Sequence, residues 1–481
     1  MKILLTGATG YIGKRVIPVL LEQGHEVICC VRDKIRFPQS GIFSHPNISL
    51  FEVDFLHEIA TSEPVKEIDA AYYLISSMGR KGDDAELQEE ISAQNFVTLI
   101  KQTAVKQIIY LGNIANERSK IALSRNNIED ILRTSGVPFT SLKAEIIVGS
   151  GSASFEIIRD LVELLPIMVA PKWIKTKSRP IAIRNVLEYI TGVLLREETY
   201  GKTFEIGGPE VLSFKEMLLQ FAEVRGMKRY VLTIPFMAPR FSSYWLFIIT
   251  STSYRLAQNL VNSMVKEIIP QQNDLDLLIN IQLLSYKEAV QLAFQRIKQN
   301  NVVSSWKDSL VSSYEDNSLL QHLKVPTKGC YRDRRRMEIT TSVDQVLQNM
   351  WSIGGERGWY YGNWLWNIRG YLDKLWGGVG LRRGRTNIDT IHIGDTLDFW
   401  RVLVADKENR RLLLYAEMKL PGDAWLEFKI ILKNKKPYLQ QTATFRPVGI
   451  AGRLYWYAEL PFHLFIFNGM AKNLIRYNQP Q

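Results

Sequence analysis

The residues best suited to chemistry stand near the start of the chain: Gly7, Gly10 and Gly13, regularly spaced between an apolar run and an amphipathic one. Binding a pyrophosphate requires backbone N–H donors and a turn clear of side chains. In such a turn the first glycine permits the tight bend, the second lets backbone approach the phosphates, and the third lets helix pack on strand. The following helix adds unsatisfied N–H groups and the positive end of its dipole. This reading holds only where the glycines join a strand to a helix.

The flanking elements meet that condition. Lys2 to Thr6 read as a short buried strand, and Ile12, Val16, Val19 and Leu20 recur at helical spacing until Gly24. Further strands are expected at Glu26–Val31, Ile48–Val53, Ala70–Ile75, Gln107–Leu111 and Phe139–Lys143, with helical segments between them. Alternation of this kind predicts an α/β doubly wound parallel sheet of Rossmann type. Residues 230–300 read as mostly helical, ending in the amphipathic run Ser285 to Ile297, and about 150–300 form a small helical substrate part.

With Thr6, Ala8, Thr9, Tyr11 and Ile12, the turn reads Thr-Gly-Ala-Thr-Gly-Tyr-Ile-Gly and resembles that of extended and atypical short-chain dehydrogenases. The likeness continues through Tyr72 to Met78, Ile108 to Gly112 and Val137 to Lys143. There it looks like the NmrA-like group of NAD(P)-binding proteins, and it covers nearly all of residues 1–300. The resemblance implies that Gly7, Thr9, Gly10, Tyr11, Ile12 and Gly13 face the cofactor. It also implies that Asp54, with Phe55, meets the adenine amino group at the end of the third strand. Ile75 and Ser76, closing the fourth strand, are then expected beside the cofactor's central part.

The second strand ends Val31-Arg32-Asp33. An acidic side chain there would grip the ribose hydroxyls of NAD, whereas arginine neutralises the 2′-phosphate of NADP. Val31 fills the usual acidic place and Arg32 follows. NADP(H) is therefore expected in preference to NAD(H), which stays open, and Asp33 is read as a solvated loop residue.

Active members of the resembled family carry a serine after the fifth strand and a Tyr-x-x-x-Lys pair on the next helix. The lysine lowers the tyrosine pKa so that it can exchange a proton during hydride transfer. Here Gly112-Asn113 follow the fifth strand, and no tyrosine occurs between Tyr110 and Tyr189. Matching Glu129 to the family's helix glutamate places Arg125 at lysine and Ile121 at tyrosine. Arginine holds its proton too tightly for exchange. The catalytic residues are thus unassigned, and ordinary alcohol dehydrogenation is not expected.

At 481 residues the chain exceeds one ordinary core. Residues 301–335 are polar and poorly periodic and are read as a linker; 336–481 form a separate aromatic-rich α+β domain. The net charge is +11, most of it beyond residue 300. That balance leaves nucleic acid, anionic lipid or an acidic ligand open. The run Arg332 to Arg336 is read as solvated linker charge, and without a nucleic-acid motif no such partner is expected. Cys29, Cys30 and Cys330 show no metal spacing and fit a reducing cytoplasm. The opening residues do not read as a signal peptide. The apolar stretch Tyr244 to Ile249 is too short to span a bilayer, and contact with a membrane surface stays open.

Residues 336–481 resemble an uncharacterised bacterial domain fused behind dehydrogenases of this type, through Gly354 to Trp359, Leu381 to Arg385, Gly394 to Arg401, Pro421 to Trp425 and Tyr455 to His463. Its aromatic strands and a closing helix from Pro461 to Ile475 look like the helix-grip fold of START and Bet v 1 proteins. That likeness implies an apolar cavity between helix and sheet. Its tryptophans could equally be plain core, His463 a satisfied helix-start residue, and Asp395 and Asp398 turn residues. Arg401, Arg453 and His463 are the candidate polar groups for an apolar small-molecule ligand. The whole reads as an NADP(H)-binding oxidoreductase acting on an apolar carbonyl, enone or quinone-like substrate. A non-catalytic NADPH-sensing regulator or assembly factor and a lipid or isoprenoid carrier remain as rivals.

Overall fold

The computed structural model describes residues 1–34, 37, 41–57, 67–75, 85–114, 120–234, 258, 261, 269–270, 274–298, 325, 329–375, 380, 391, 395–434 and 436–477. The chain divides into two compact units, Met1–Tyr314 and Glu315–Gln481.

The first unit is built on seven parallel strands: β1 (Lys2–Leu5), β2 (Glu26–Val31), β3 (Ile48–Glu52), β4 (Ala70–Tyr73), β5 (Gln107–Asn113), β6 (Phe139–Ala144) and β7 (Thr203–Glu205). Their spatial order is β7-β6-β5-β4-β1-β2-β3. The order reverses between β1 and β4, where open α/β sheets bind ligands beyond the strand carboxyl ends. Near-continuous apolar runs make these strands: Ile3, Leu4 and Leu5 are wholly buried because both sheet faces are covered. Helix α1 (Gly13–Glu22) buries Val16, Ile17, Leu20 and Leu21 on the sheet, and Gly24 follows it with a φ of 78°.

A smaller lobe of this unit gathers Phe155, Phe221 and Phe294 from the helices Ala153–Leu164, Phe214–Val224 and Tyr286–Lys298. Ser213 and Glu216 form a capping box at the second of these helices. The expected amphipathic run from Ser285 is the third. Tyr230–Ile234, expected as helix, is instead a strand paired in parallel with Ile167–Pro171. Its β-branched residues Val231, Thr233 and Ile234 favour extended backbone. Tyr244 to Ile249 lie outside the described residues.

The second unit holds a six-stranded antiparallel sheet. Its strands are β8 (Tyr331–Glu338), β9 (Thr396–Leu397), β10 (Trp400–Asp406), β11 (Arg411–Ala416), β12 (Gly422–Lys433) and β13 (Lys436–Pro447), in the order β8-β13-β12-β11-β10-β9. The basic run read as linker is in fact β8. Alternation explains it: Arg332, Arg334 and Arg336 are exposed, whereas Asp333 and Arg335 pair at 2.8 Å on the other face. The closing helix is also longer than expected, running Gly449–Arg476 with Pro461 inside it, so His463 lies mid-helix and not at its start. Trp351, Trp359, Trp366, Trp400, Trp425 and Trp456 are buried. Asp398 turns β9 into β10 with a φ of 54° and accepts the Trp359 indole N–H at 2.6 Å.

Candidate functional site

The glycine turn connects β1 to α1 at the switch point. Gly7 has a φ of 65°, and a Cβ there would lie 2.5 Å from the carbonyl oxygen of Leu74. A Cβ on Gly13 would lie 2.2 Å from the Gly7 carbonyl oxygen, and one on Gly10 3.1 Å from the same atom. At Gly7 and Gly13 only a hydrogen fits and at Gly10 a side chain would be tight, the close-packed glycine turn that a pyrophosphate cradle requires. Thr6 locks the turn: its hydroxyl donates to the Tyr72 carbonyl at 3.0 Å and accepts from the Leu74 N–H at 3.1 Å.

The other expected site residues are placed around this edge. Thr9 lies in the turn, and Ile12 occupies the N-cap of α1 without a side-chain cap. Tyr11 is turned inward. The Arg15 guanidinium stacks 4.7 Å from its ring, and burial pushes its phenol up to about 12. Arg15 itself donates to the Ser150 carbonyl at 2.7 Å, fastening the turn to the segment after β6. Arg32, half-buried, follows β2. Asp54 follows β3 and accepts the Leu56 N–H at 3.0 Å, while Phe55 beside it is buried. Ile75 is half-buried beyond β4; Ser76 falls outside the described residues. The backbone of Ile121 and Arg125 lies in helix Lys120–Arg133, their side chains outside the described set.

Several residues of this edge escaped the sequence reading. Asn95 donates to the carbonyls of Phe55 and His57 at 2.9 and 3.1 Å and shapes the loop after β3. Asn113 ends β5 in register with Ala144 of β6, and its side-chain oxygen is buried without a hydrogen-bond partner among the described residues. Glu145 stands immediately beyond Ala144 and accepts a hydrogen bond from Ser178. Burial pushes its carboxyl up to about 7 against the opposing pull of that bond. Neighbouring Lys143 is engaged elsewhere, 2.6 Å from Glu129. Burial alone would raise Glu129, but bonds from Lys143, Thr203 and Arg133 hold it below the ordinary carboxylate value. The available signal was Glu145 itself, one acid inside the apolar stretch Ala144 to Val148.

A cleft of about 510 Å³ beside Gln23, Arg184 and Asn280 lies at the far end of α1 from the glycine turn, so it is not the nucleotide site. Among the described residues no group of metal-ligating side chains forms a site, and no helix is long and apolar enough to cross a membrane. None of Cys29, Cys30 and Cys330 forms a disulfide with another described residue.

In the second unit, Arg401 is committed to Glu417 at 2.7 Å, and Arg453 is exposed on the closing helix. Neither therefore serves as a polar group of an enclosed ligand site. His463 is different: burial pushes it down to about 4, and its Nδ1 is buried without a partner among the described residues. Gln441, unnoticed in the sequence, is 1% exposed with both amide atoms unpartnered among the described residues. Alternation puts it on the same face of β13 as Leu439 and Ala443, which share a core with Phe467 and Met470 of the closing helix.

Residues 7–148 match the family described as NAD(P)H-binding. Residues 327–470 match a protein of unknown function (DUF2867). The first unit carries an NAD(P)H-binding Rossmann domain, and further along the chain follows a domain that matches that uncharacterised family. The chain is 24% identical over 222 residues to Prestalk A differentiation protein A of Dictyostelium discoideum, covering 45% of this chain and 67% of that protein. It is 22% identical over 253 residues to the Photosystem II assembly factor Ycf39 of Cyanophora paradoxa, covering 49% and 72%. A nucleoside-diphosphate-sugar epimerase from Staphylococcus aureus is similar over 60% of this chain and 100% of its own, with a TM-score of 0.48 and 16% identity.

Proposed function

We propose that this protein is a cytoplasmic, NADP(H)-preferring oxidoreductase acting on an apolar carbonyl, enone or quinone-like substrate. Gly7, Gly10 and Gly13 would hold the pyrophosphate, Arg32 the 2′-phosphate, and Asp54 with Phe55 the adenine end. When bound, the cofactor supplies the hydride. The observation that carries the reading is Glu145, a carboxyl poised near 7 at the end of β6. Three strand spacings of roughly 4.8 Å put β6 about 14 Å from β1 across the sheet. Glu145 is thus set apart from the phosphate turn along the strand ends, toward the smaller lobe through Ser178. A carboxyl that titrates near neutrality can hold a proton and release it to a substrate oxygen, the task left vacant by the missing tyrosine. Asn113 adds, on the adjoining strand, a side-chain oxygen with no hydrogen bond among the described residues.

The test is oxidation of NADPH by the full chain with menadione as quinone and trans-2-decenal as enal. Turnover that falls about 10²-fold in Glu145→Gln, with NADPH affinity unchanged, supports the reading. NADPH binding without oxidation by either probe overturns it. That outcome favours the second reading, a nucleotide-sensing regulator or assembly factor. The absence of serine at Gly112-Asn113 and the likeness to a protein named as an assembly factor support this alternative.

The second unit is proposed to enclose an apolar ligand between its sheet and closing helix, in helix-grip manner. Gln441 and His463 would supply the polar contacts. Buried polar groups are nearly always satisfied, and these two have no partner among the described residues.

A further inference from the structure

The closing helix Gly449–Arg476 carries large apolar side chains on its outward face as well as its inward one. Ile450 is 77% exposed and Leu454 66%, and Tyr457 and Phe465 continue the same stripe at helical spacing. Helix Asn363–Leu375 adds Trp364 and Ile368, both exposed. The two helices are joined: Arg369 donates to the Tyr455 hydroxyl at 3.0 Å, and the ring of Tyr361, two residues before the shorter helix, lies 5.1 Å from that of Phe465. Their outward faces therefore adjoin in one patch. Single exposed apolar residues are ordinary, but a contiguous set of this size marks a contact surface.

Charge identifies the occupant. Among the described side chains of these two helices, every exposed charged one is cationic: Arg453, Lys472 and Arg476. The acids are withdrawn. Asp373 is buried and accepts the N–H groups of Gly380 and Lys419, each at 2.8 Å. Glu459 is half-buried beside Tyr455. A second copy meeting this face by two-fold symmetry would bring the same cations together. An anionic bilayer would not: its hydrocarbon takes Leu454 and Phe465, its headgroup layer suits Trp364 and Tyr457, and its charge attracts the arginines and lysine. We propose that the second unit docks on anionic lipid surfaces through the outward faces of these two helices, lying on the membrane without crossing it.

The experiment is co-sedimentation of the full-length chain with vesicles of phosphatidylcholine alone or with one third phosphatidylglycerol, at low and high salt. Binding to the anionic vesicles that weakens with salt is expected. Leu454→Asp and Phe465→Asp should each lower the partition about tenfold, the loss of one large apolar group from hydrocarbon. The melting temperature of Leu454→Asp should stay unchanged, since that site faces outward, and Arg453→Gln should lower binding without removing it. Absence of binding to either vesicle overturns the proposal. So does equal binding to neutral vesicles, or binding that survives both aspartate substitutions. Concentration-dependent dimerisation lost in Leu454→Asp, with no vesicle binding, would assign the patch to a second copy and overturn it equally.

Discussion

The Ser178 hydroxyl donates to the Glu145 carboxylate, linking the residue just after β6 to the short strand Lys177–Ser178, 33 positions further along the chain. No cation stands against this carboxylate among the described residues: Lys143 is bound to Glu129, and Lys177 acts on Glu216. Burial therefore dominates, and Glu145 keeps its proton to about pH 7.

That shift has a sign that stability can report. In an unfolded chain a glutamate ionises near 4.3. The folded state favours the protonated form, so its contribution is fully present below about 4.3 and is lost as pH rises through 7. Glu145→Gln removes a titrating group whose ionised form is penalised. The variant should be more stable than the parent by roughly 1–3 kcal/mol at pH 8 and about equal to it at pH 4.5. Thermal melts at the two pH values decide it; an equal gain at both would refute the buried-carboxyl account.

Arg32 should set cofactor preference. A charge-assisted bond to a 2′-phosphate contributes roughly 1.5–3 kcal/mol. NADPH should bind more tightly than NADH, and Arg32→Ala should narrow the gap about tenfold or more. Equal affinities in the unmutated protein, measured by titration calorimetry, would remove Arg32 from this role.

Gly13→Ala places a methyl 2.2 Å from the Gly7 carbonyl oxygen, a backbone atom that cannot rotate away. The turn must open, at a cost of about 1–3 kcal/mol or more, and the cradle opens with it. NADPH affinity is expected to fall strongly. The control is Gly136, whose Cβ position is open but whose φ of 87° favours glycine. Gly136→Asn should leave nucleotide binding intact. If the two variants bind alike, the turn is not the phosphate site.

The sheet of the first unit is legible in the sequence because each strand is a short apolar run and each break a glycine or a polar turn. The local signals, Gly7 to Gly13 above all, report structure formed by neighbours in the chain. Glu145 is legible only as an oddity, since its chemistry depends on Ser178 and on burial by a lobe that begins after it. The basic run Arg332 to Arg336 misleads for a related reason. Charge alone suggests a solvated linker, whereas alternation gives Asp333 and Arg335 to one face and the remaining arginines to solvent. Pro461 marks a helix start in isolation, but the helix Gly449–Arg476 continues through it on the strength of its packing.

His463 should make the second unit acid-sensitive. Burial lowers it to about 4, with Asp333 opposing and Arg335 assisting. Histidine in the unfolded chain titrates near 6.5, so the stability present above 6.5 is lost as pH falls toward 4. His463→Leu should flatten that acid limb, with the two proteins diverging by roughly 2–3 kcal/mol at pH 4. Parallel pH profiles in denaturant melts would place His463 in contact with water.

Gln441 allows ligand site and filled core to be told apart. Its amide is buried on the helix-covered face with neither oxygen nor nitrogen bonded to any described residue. Each unsatisfied buried polar group costs about 1–3 kcal/mol, so Gln441→Leu, similar in size, should stabilise the ligand-free protein by that order. If the amide exists to read a ligand's polar end, the same substitution should weaken binding of an apolar probe. The probe is ubiquinone-1, followed by quenching of tryptophan emission, since Trp366 belongs to the same core cluster and the Trp456 ring lies 5.0 Å from that of His463. Saturable quenching in the parent, about tenfold weaker in Gln441→Leu, supports a ligand site. Ala443→Trp, which adds bulk beside Gln441 on β13, should abolish it. Stabilisation by Gln441→Leu without any saturable quenching in the parent would mean that the sheet and helix close directly on one another and that Gln441 is a defect of the core, not a reader of ligand.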